Sequence, residues 1–169
     1  MTITIREERS SDISAISVIT EAAFRPMPYS SGTEHLIVDA LRQRGELTIS
    51  LVAVDNDDAV IGHVAISPVS ISSGAEGWYG LGPIAVRPDR QGEGIGSALV
   101  LAALDALRQI DASGCILLGS PAYYGRFGFA AHPGLELPGV PADHFQALSL
   151  GGELPTGQVS YSEAFDVTA

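Results

Sequence analysis

The segment Gln91-Gly92-Glu93-Gly94-Ile95-Gly96-Ser97 has the residue types of an anion-binding turn. The apolar strand Ile84-Ala85-Val86 precedes it, and a helical pattern follows at once. The first N–H groups of a helix have no internal partners and carry the positive end of its dipole. Glycines let that backbone approach a phosphate without side-chain obstruction, so the site needs no lysine. Two familiar phosphate motifs are excluded. A P-loop ends in Gly-Lys-Ser/Thr, and this chain contains no lysine. A dinucleotide turn needs G-x-G-x-x-G. The third position is Ser97 when counted from Gly92 and Leu99 when counted from Gly94. The remaining pattern is Q-x-x-G-x-G, formed by Gln91, Gly94 and Gly96.

Other chemistries find little footing. Cys115 is the only cysteine, so no intrachain disulfide forms, and its apolar run Cys115-Ile116-Leu117-Leu118 reads as a buried, inert thiol. No G-x-S-x-G elbow is present, so the sequence offers no serine-centred nucleophile of that kind. No His/Cys/Asp group has metal-ligand spacing, so no metal is expected.

The elements that must position the turn follow from periodicity. Thr2 to Glu7 alternates as a strand. Ser11 or Asp12 caps a helix whose apolar face is Ile13, Ile16, Ile19, Ala23 and Phe24, ended by Pro26 and Pro28. A second helix runs from about Thr33 to Arg44 and stops at Gly45. Thr48–Val54 and Ala59–Ser67 flank a polar turn as a hairpin, and Trp78–Val86 is a third long strand. The glycine turn opens a helix ending near Asp111 to Gly114. Cys115–Leu118 is a short buried strand, and Pro121–Arg126 a short helix. Phe145–Leu150 and Gln158–Tyr161 close the chain as strands separated by Gly151-Gly152. This order predicts one α+β domain over residues 1–169, with a mixed central sheet of about seven strands flanked by about four helices.

Composition narrows the partners. The 169 residues are 46% hydrophobic, enough for a sizeable core. The formal net charge of −11 argues against nucleic acid or an anionic membrane as partner. All nine basic residues are arginine, and no lysine or arginine follows Arg126, so the acidic C-terminal third reads either as a face that draws in a cationic small molecule or as an ordinary solvated surface. No export or membrane-anchoring signal is evident, which makes the cytoplasm the expected location.

With this order of elements and this turn, followed by Tyr124-Gly125-Arg126-Phe127-Gly128-Phe129, the sequence resembles the GNAT superfamily of N-acetyltransferases. The closing Phe145-Gln146-Ala147-Leu148, Gln158-Val159-Ser160-Tyr161 and Ala164-Phe165 resemble its YhbS-like branch. The resemblance implies a GNAT acyl-CoA N-acyltransferase fold and transfer of acetyl from acetyl-CoA to an amine, with a small molecule as the expected acceptor. Backbone amides of Gln91, Gly92, Glu93, Gly94, Ile95, Gly96 and Ser97 would hold the pyrophosphate. The backbone of Ile84, Ala85 and Val86 would pair with the pantetheine arm and polarise the thioester carbonyl. Arg87 or Arg90 would contact a phosphate, and Ser120 the pantetheine arm. Tyr124 aligns with the usual general acid, and a protonated phenol suits that task. Tyr123 is its neighbour, and the Gly128-Phe129 spacing selects Tyr124. The general base is open among Glu21, Glu76, Glu153, His63, His132, His144 and a water chain. Family members are often dimers. The alternative is a non-catalytic acyl-CoA-binding sensor, and succinyl-CoA is a further donor to consider.

Overall fold

The computed structural model describes residues 2–168. In chain order the elements are β1 (Thr4–Glu7), α1 (Ile13–Phe24), α2 (Glu34–Gln43), β2 (Ile49–Val54), β3 (Val60–Pro68), β4 (Ser70–Ile71), β5 (Trp78–Val86), α3 (Ile95–Gln109), β6 (Gly114–Leu118), α4 (Pro121–Tyr124), β7 (Leu135–Glu136), β8 (Phe145–Ser149) and β9 (Gly157–Ser160). The expected α+β class holds, with the strands divided between two sheets. Six form the main sheet in the order β1-β2-β3-β5-β6-β8, and three form a small sheet, β4-β9-β7. All neighbours in the main sheet are antiparallel except β5 and β6.

Helices cover both faces of the main sheet. Ile95, Leu99, Val100, Ala103, Leu104 and Leu107 of α3 recur at helical spacing and pack on Leu51, Ala53, Val64 and Ile66. On the other face, Ile16 and Ile19 of α1 and Val38 of α2 cover Val52, Val54, Val60 and Ala65. Gly62 has no side chain because Leu99 and Ile95 of α3 press to within 3.0 and 3.1 Å of where its Cβ would stand.

One local expectation changes, and one pairing goes beyond what the sequence offered. Neither Ser11 nor Asp12 caps α1 through its side chain. A 3-10 turn over Ser10–Asp12 leads into the helix, and the Asp12 carboxylate accepts from the Arg6 guanidinium and the Arg9 N–H instead. The two closing strands do not pair with each other. β8 joins β6, whereas β9 leaves to pair with Ser70–Ile71 and Leu135–Glu136. The small sheet buries Ile71, Leu135 and Val159 against Trp78 and Phe145, which the main sheet alone would leave uncovered. No helix of the described residues is long and apolar enough to cross a membrane.

Candidate active site

The site begins where β5 and β6 part. Only Trp78, Tyr79 and Gly80 of β5 pair with β6, opposite Gly114, Cys115 and Ile116. Beyond Gly80, β6 stays with β8 while β5 continues to Val86, so a gap opens between them. A bulge accompanies the parting: Ile66 faces Leu81, but Val64 faces Ile84, giving β5 one more residue than β3. Gly82 at φ 139° and Pro83 occupy this bulge, where proline's missing donor breaks no ladder bond.

The bulge also sets which backbone groups face the gap. Arg87 N–H donates to Ile61 C=O, which fixes the phase of the ladder. Alternation then turns the N–H and C=O of Ala85 toward His63 on β3 and those of Ile84 and Val86 away, into the gap. Of the three strand residues expected to pair with a ligand, Ile84 and Val86 therefore present free-edge groups, while Ala85 contributes only surface. The Gln91 side-chain amide already donates to Val86 C=O at 3.1 Å.

The gap widens into a cleft of about 970 Å³. One end is lined by Gly92, Gly94, Ile95, Gly96 and Ser97 at the start of α3. Gly92 and Gly94 have φ of 82° and 84°, a conformation that costs other residues, and the space above each is open. Gly94 is the N-cap, with no side chain capping the helix. Ala98 N–H makes the first intrahelical bond, to Gly94 C=O, leaving the amides of Ile95, Gly96 and Ser97 uncommitted. Glu93 takes no place in the lining. Its carboxylate pairs with Arg90, which also lies near Asp55. Arg87 pairs with Asp89.

Tyr123 and Tyr124 separate cleanly. The Tyr123 hydroxyl lies 3.2 Å from Ser97 Oγ and against Gly96, at the helix start. Tyr124 turns into the cleft, its ring packed edge-on against Tyr123 and Phe129. Its hydroxyl has no protein partner among the described residues. Burial pushes its pKa up to about 12, with Tyr123 and Tyr29 adding to the rise. The phenol thus keeps its proton. Ser120 lines the cleft and accepts from Tyr123 N–H as the cap of α4.

Comparison with known proteins decides the family. Residues 16–129 match the model of the acetyltransferase (GNAT) family. The chain belongs to the GNAT acetyltransferase family. It is 37% identical to a protein described as the uncharacterized N-acetyltransferase YhbS of Escherichia coli (strain K12), covering 96% of this chain and 98% of that one. Among solved structures, a GNAT family acetyltransferase from Brucella melitensis in complex with acetyl-CoA superposes with a TM-score of 0.87 at 49% identity, over 98% of this chain and 99% of that one. The Escherichia coli YhbS structure in complex with CoA gives 0.86 at 34% identity, over 99% and 93%.

Within this GNAT site, none of the acids and histidines considered as base lines the cleft. Glu21 is exposed and pairs with Arg25 and His35. Glu76 lines a separate, smaller cavity, and Glu153 sits on an exposed loop. His144 pairs with Asp143, and His132 belongs to the loop before β7. His63 is fully buried beside Ser50, and desolvation lowers its pKa to about 4. Cys115 is buried, and burial raises its thiol pKa. Two charged lining residues escaped the sequence reading. Arg126 stacks on Tyr123 at 4.2 Å and donates to Ser97 Oγ at 3.0 Å. Its place directly after Tyr124-Gly125 on a short helical turn was the available signal. Glu34 is the only acidic side chain lining the cleft among the described residues. As the first residue of α2 it reads in sequence like any first-turn acid.

Proposed function

We propose that this chain moves the acetyl group of acetyl-CoA directly onto an amine, with the start of α3, the free edge of β5 and Tyr124 as its working parts. The observation that carries the reading is their convergence on one cleft. Relatives of the same fold were crystallised with acetyl-CoA and with CoA. Acetyl-CoA supplies an activated acetyl thioester.

The amides of Ile95, Gly96 and Ser97, with the open glycine turn Gln91–Gly94 beside them, bind the diphosphate. Arg126 adds a cation at the same helix start. Ile84 and Val86 extend their backbone groups to the pantetheine amides as a strand would, and Gln91 yields Val86 C=O when they do. A free N–H at Ile84 or Val86 also polarises the thioester carbonyl. Tyr124 donates its proton to the departing sulfur, a task suited to a phenol whose pKa is raised.

Calorimetry with CoA and steady-state kinetics of Tyr124→Phe test this together. Wild type should bind CoA, and the variant should keep that affinity while kcat falls about 10²- to 10⁴-fold. Absence of CoA binding overturns the anion site. Full turnover by the variant removes Tyr124 from its role, and CoA binding with no amine acetylated leaves the sensor alternative.

A further inference from the structure

The two ends of the cleft have opposite chemistry. Arg90 and Arg126, the basic residues in its lining, are both at the α3 end. The other end is formed by the last turn of α1, the start of α2 and the C-terminal segment. It is lined by Phe24, Met27, Ile37, Leu137 and Phe165, with Glu34 among them. Among the described residues no basic side chain lines this end.

Glu34 is held but not neutralised. Ser30 Oγ donates to its Oε1 at 2.7 Å, and the carboxylate makes no ion pair with any described residue. Its Oε2 has no protein partner among them. Every other charge in the lining has an internal partner: Arg90 pairs with Glu93, and Arg126 rests on Tyr123 and Ser97. A half-buried carboxylate fixed at one oxygen and left open at the other, in an apolar wall, is a receptor for one cation. Tyr29 of the same segment lines the cleft together with Tyr124, the proposed acid.

We infer that the acceptor is a small primary amine with a single ammonium group and an aromatic or branched apolar body, the ammonium on Glu34 and the body against Phe24, Met27 and Phe165. This inference rests on the acetyltransferase reading of the same cleft. Polyamines and aminoglycosides fit poorly, because each further ammonium would enter an apolar wall with no second carboxylate. Aromatic lining residues favour a ring over a plain chain.

The proton balance follows. The ammonium gives one proton to Glu34, which passes it to solvent at the mouth. The freed lone pair forms the C–N bond as the C–S bond breaks. Tyr124 protonates the leaving sulfur, and the second proton of the attacking nitrogen restores Tyr124. One proton is released per turnover.

The test uses the full-length protein, acetyl-CoA, and a thiol-release assay with 2-phenylethylamine, 3-methylbutylamine, spermidine and kanamycin. The two apolar amines should exceed spermidine and kanamycin in kcat/KM by at least about tenfold. Glu34→Gln should lower kcat/KM for 2-phenylethylamine about 10- to 100-fold, the loss expected for one charge-assisted hydrogen bond. It should leave CoA affinity unchanged, as well as inhibition by the uncharged isostere 2-phenylethanol. Met27→Glu, which adds a second carboxylate at a partly exposed position, should shift preference toward spermidine. Equal or better turnover of spermidine by wild type overturns the inference, as does an unaltered kcat/KM in Glu34→Gln. CoA binding without acetylation of any amine in the panel overturns it too. Failure to bind CoA at all is distinguishable: it defeats the acetyltransferase reading on which the inference rests.

Discussion

Replacing Gly119 with alanine should disable Tyr124 without touching it. A Cβ at Gly119 would stand 2.7 Å from Tyr124 Cδ2 and closer still to Cε2, whereas ordinary contact begins at 3.4 Å. The ring must therefore retreat by about 1 Å, and it cannot retreat freely, since interiors are close-packed. Tyr123 and Phe129 hold it edge-on, at centroid distances of 4.8 and 6.2 Å. The backbone itself accepts alanine, because Gly119 has no positive φ. A proton donor misplaced by that amount loses about 10- to 100-fold in kcat. Overpacking costs the fold about 1–3 kcal/mol. Gly119 lies on the strand-to-α4 connection, away from the amides of Ile95 to Ser97, so CoA affinity by calorimetry should stay within about twofold. A double-mutant cycle isolates the cause. In a Tyr124→Phe background, Gly119→Ala should change kcat by less than about threefold, because no phenol remains to misplace. An undiminished kcat in the single variant, or the same fold-loss in both backgrounds, would refute the reasoning.

Three further outcomes follow from the same geometry. Gly94→Ala places a side chain at φ 84° in open space, so its cost is backbone strain of about 1–2 kcal/mol. Thermal melting should read that loss, and the Kd for CoA should rise about five- to tenfold as the turn relaxes. Because the Tyr124 phenol is pushed up to about 12, kcat should show no alkaline fall from this group below about pH 11. An alkaline limb near pH 9 that disappears in Tyr124→Phe would contradict it. His63 is buried neutral, with a pKa lowered to about 4 from the usual 6.5. Between those values the unfolded chain binds the proton more readily, so its contribution is intact above pH 6.5 and is lost as pH falls toward 4. Urea unfolding at pH 7 and pH 5 should show wild type losing about 2 kcal/mol more than His63→Gln. Beside it, burial works to raise the Glu8 carboxyl, but the hydrogen bonds from Arg42 and Ser50 and the charge of Arg42 hold it below its ordinary value.

The legible parts of the site are local. Gln91, Gly92, Gly94 and Gly96 sit within one turn, and three glycines at a helix start have no packing reason that a sequence could supply. Tyr124 is reached through the family resemblance, which its spacing to Gly128 and Phe129 carries, and it lines the cleft. What stayed hidden depends on long-range pairing. Nothing in the run Trp78–Val86 says that its partnership with Gly114–Ile116 stops at Gly80. Gly82-Pro83 inside an apolar strand was the one usable hint of a bulge. β4 and β7 have two residues each and cannot express a period. His63 has the solvent-seeking chemistry of a surface residue. Yet it lies within Val60–Ile66, buried throughout because helices cover both faces of β3. Glu34 became visible only once the cleft located it among apolar side chains.

One irregularity in β5 accounts for the whole arrangement. A strand in register with both neighbours would spend the polar groups of Ile84 and Val86 on its own sheet. The bulge and the parting from β6 release them, and they also open a passage between the α3 face and the α1/α2 face. Backbone groups deprived of a partner inside a protein are costly unless water or a ligand supplies one. A ligand that brings its own amides therefore completes the ladder that the fold leaves unfinished. On the proposed reading, its anionic end would be drawn to the uncapped helix and its reactive end would be left toward the Glu34 side of the cleft. Opposite charges at the two ends would then set the direction in which donor and acceptor enter, although the chain as a whole carries a net −11.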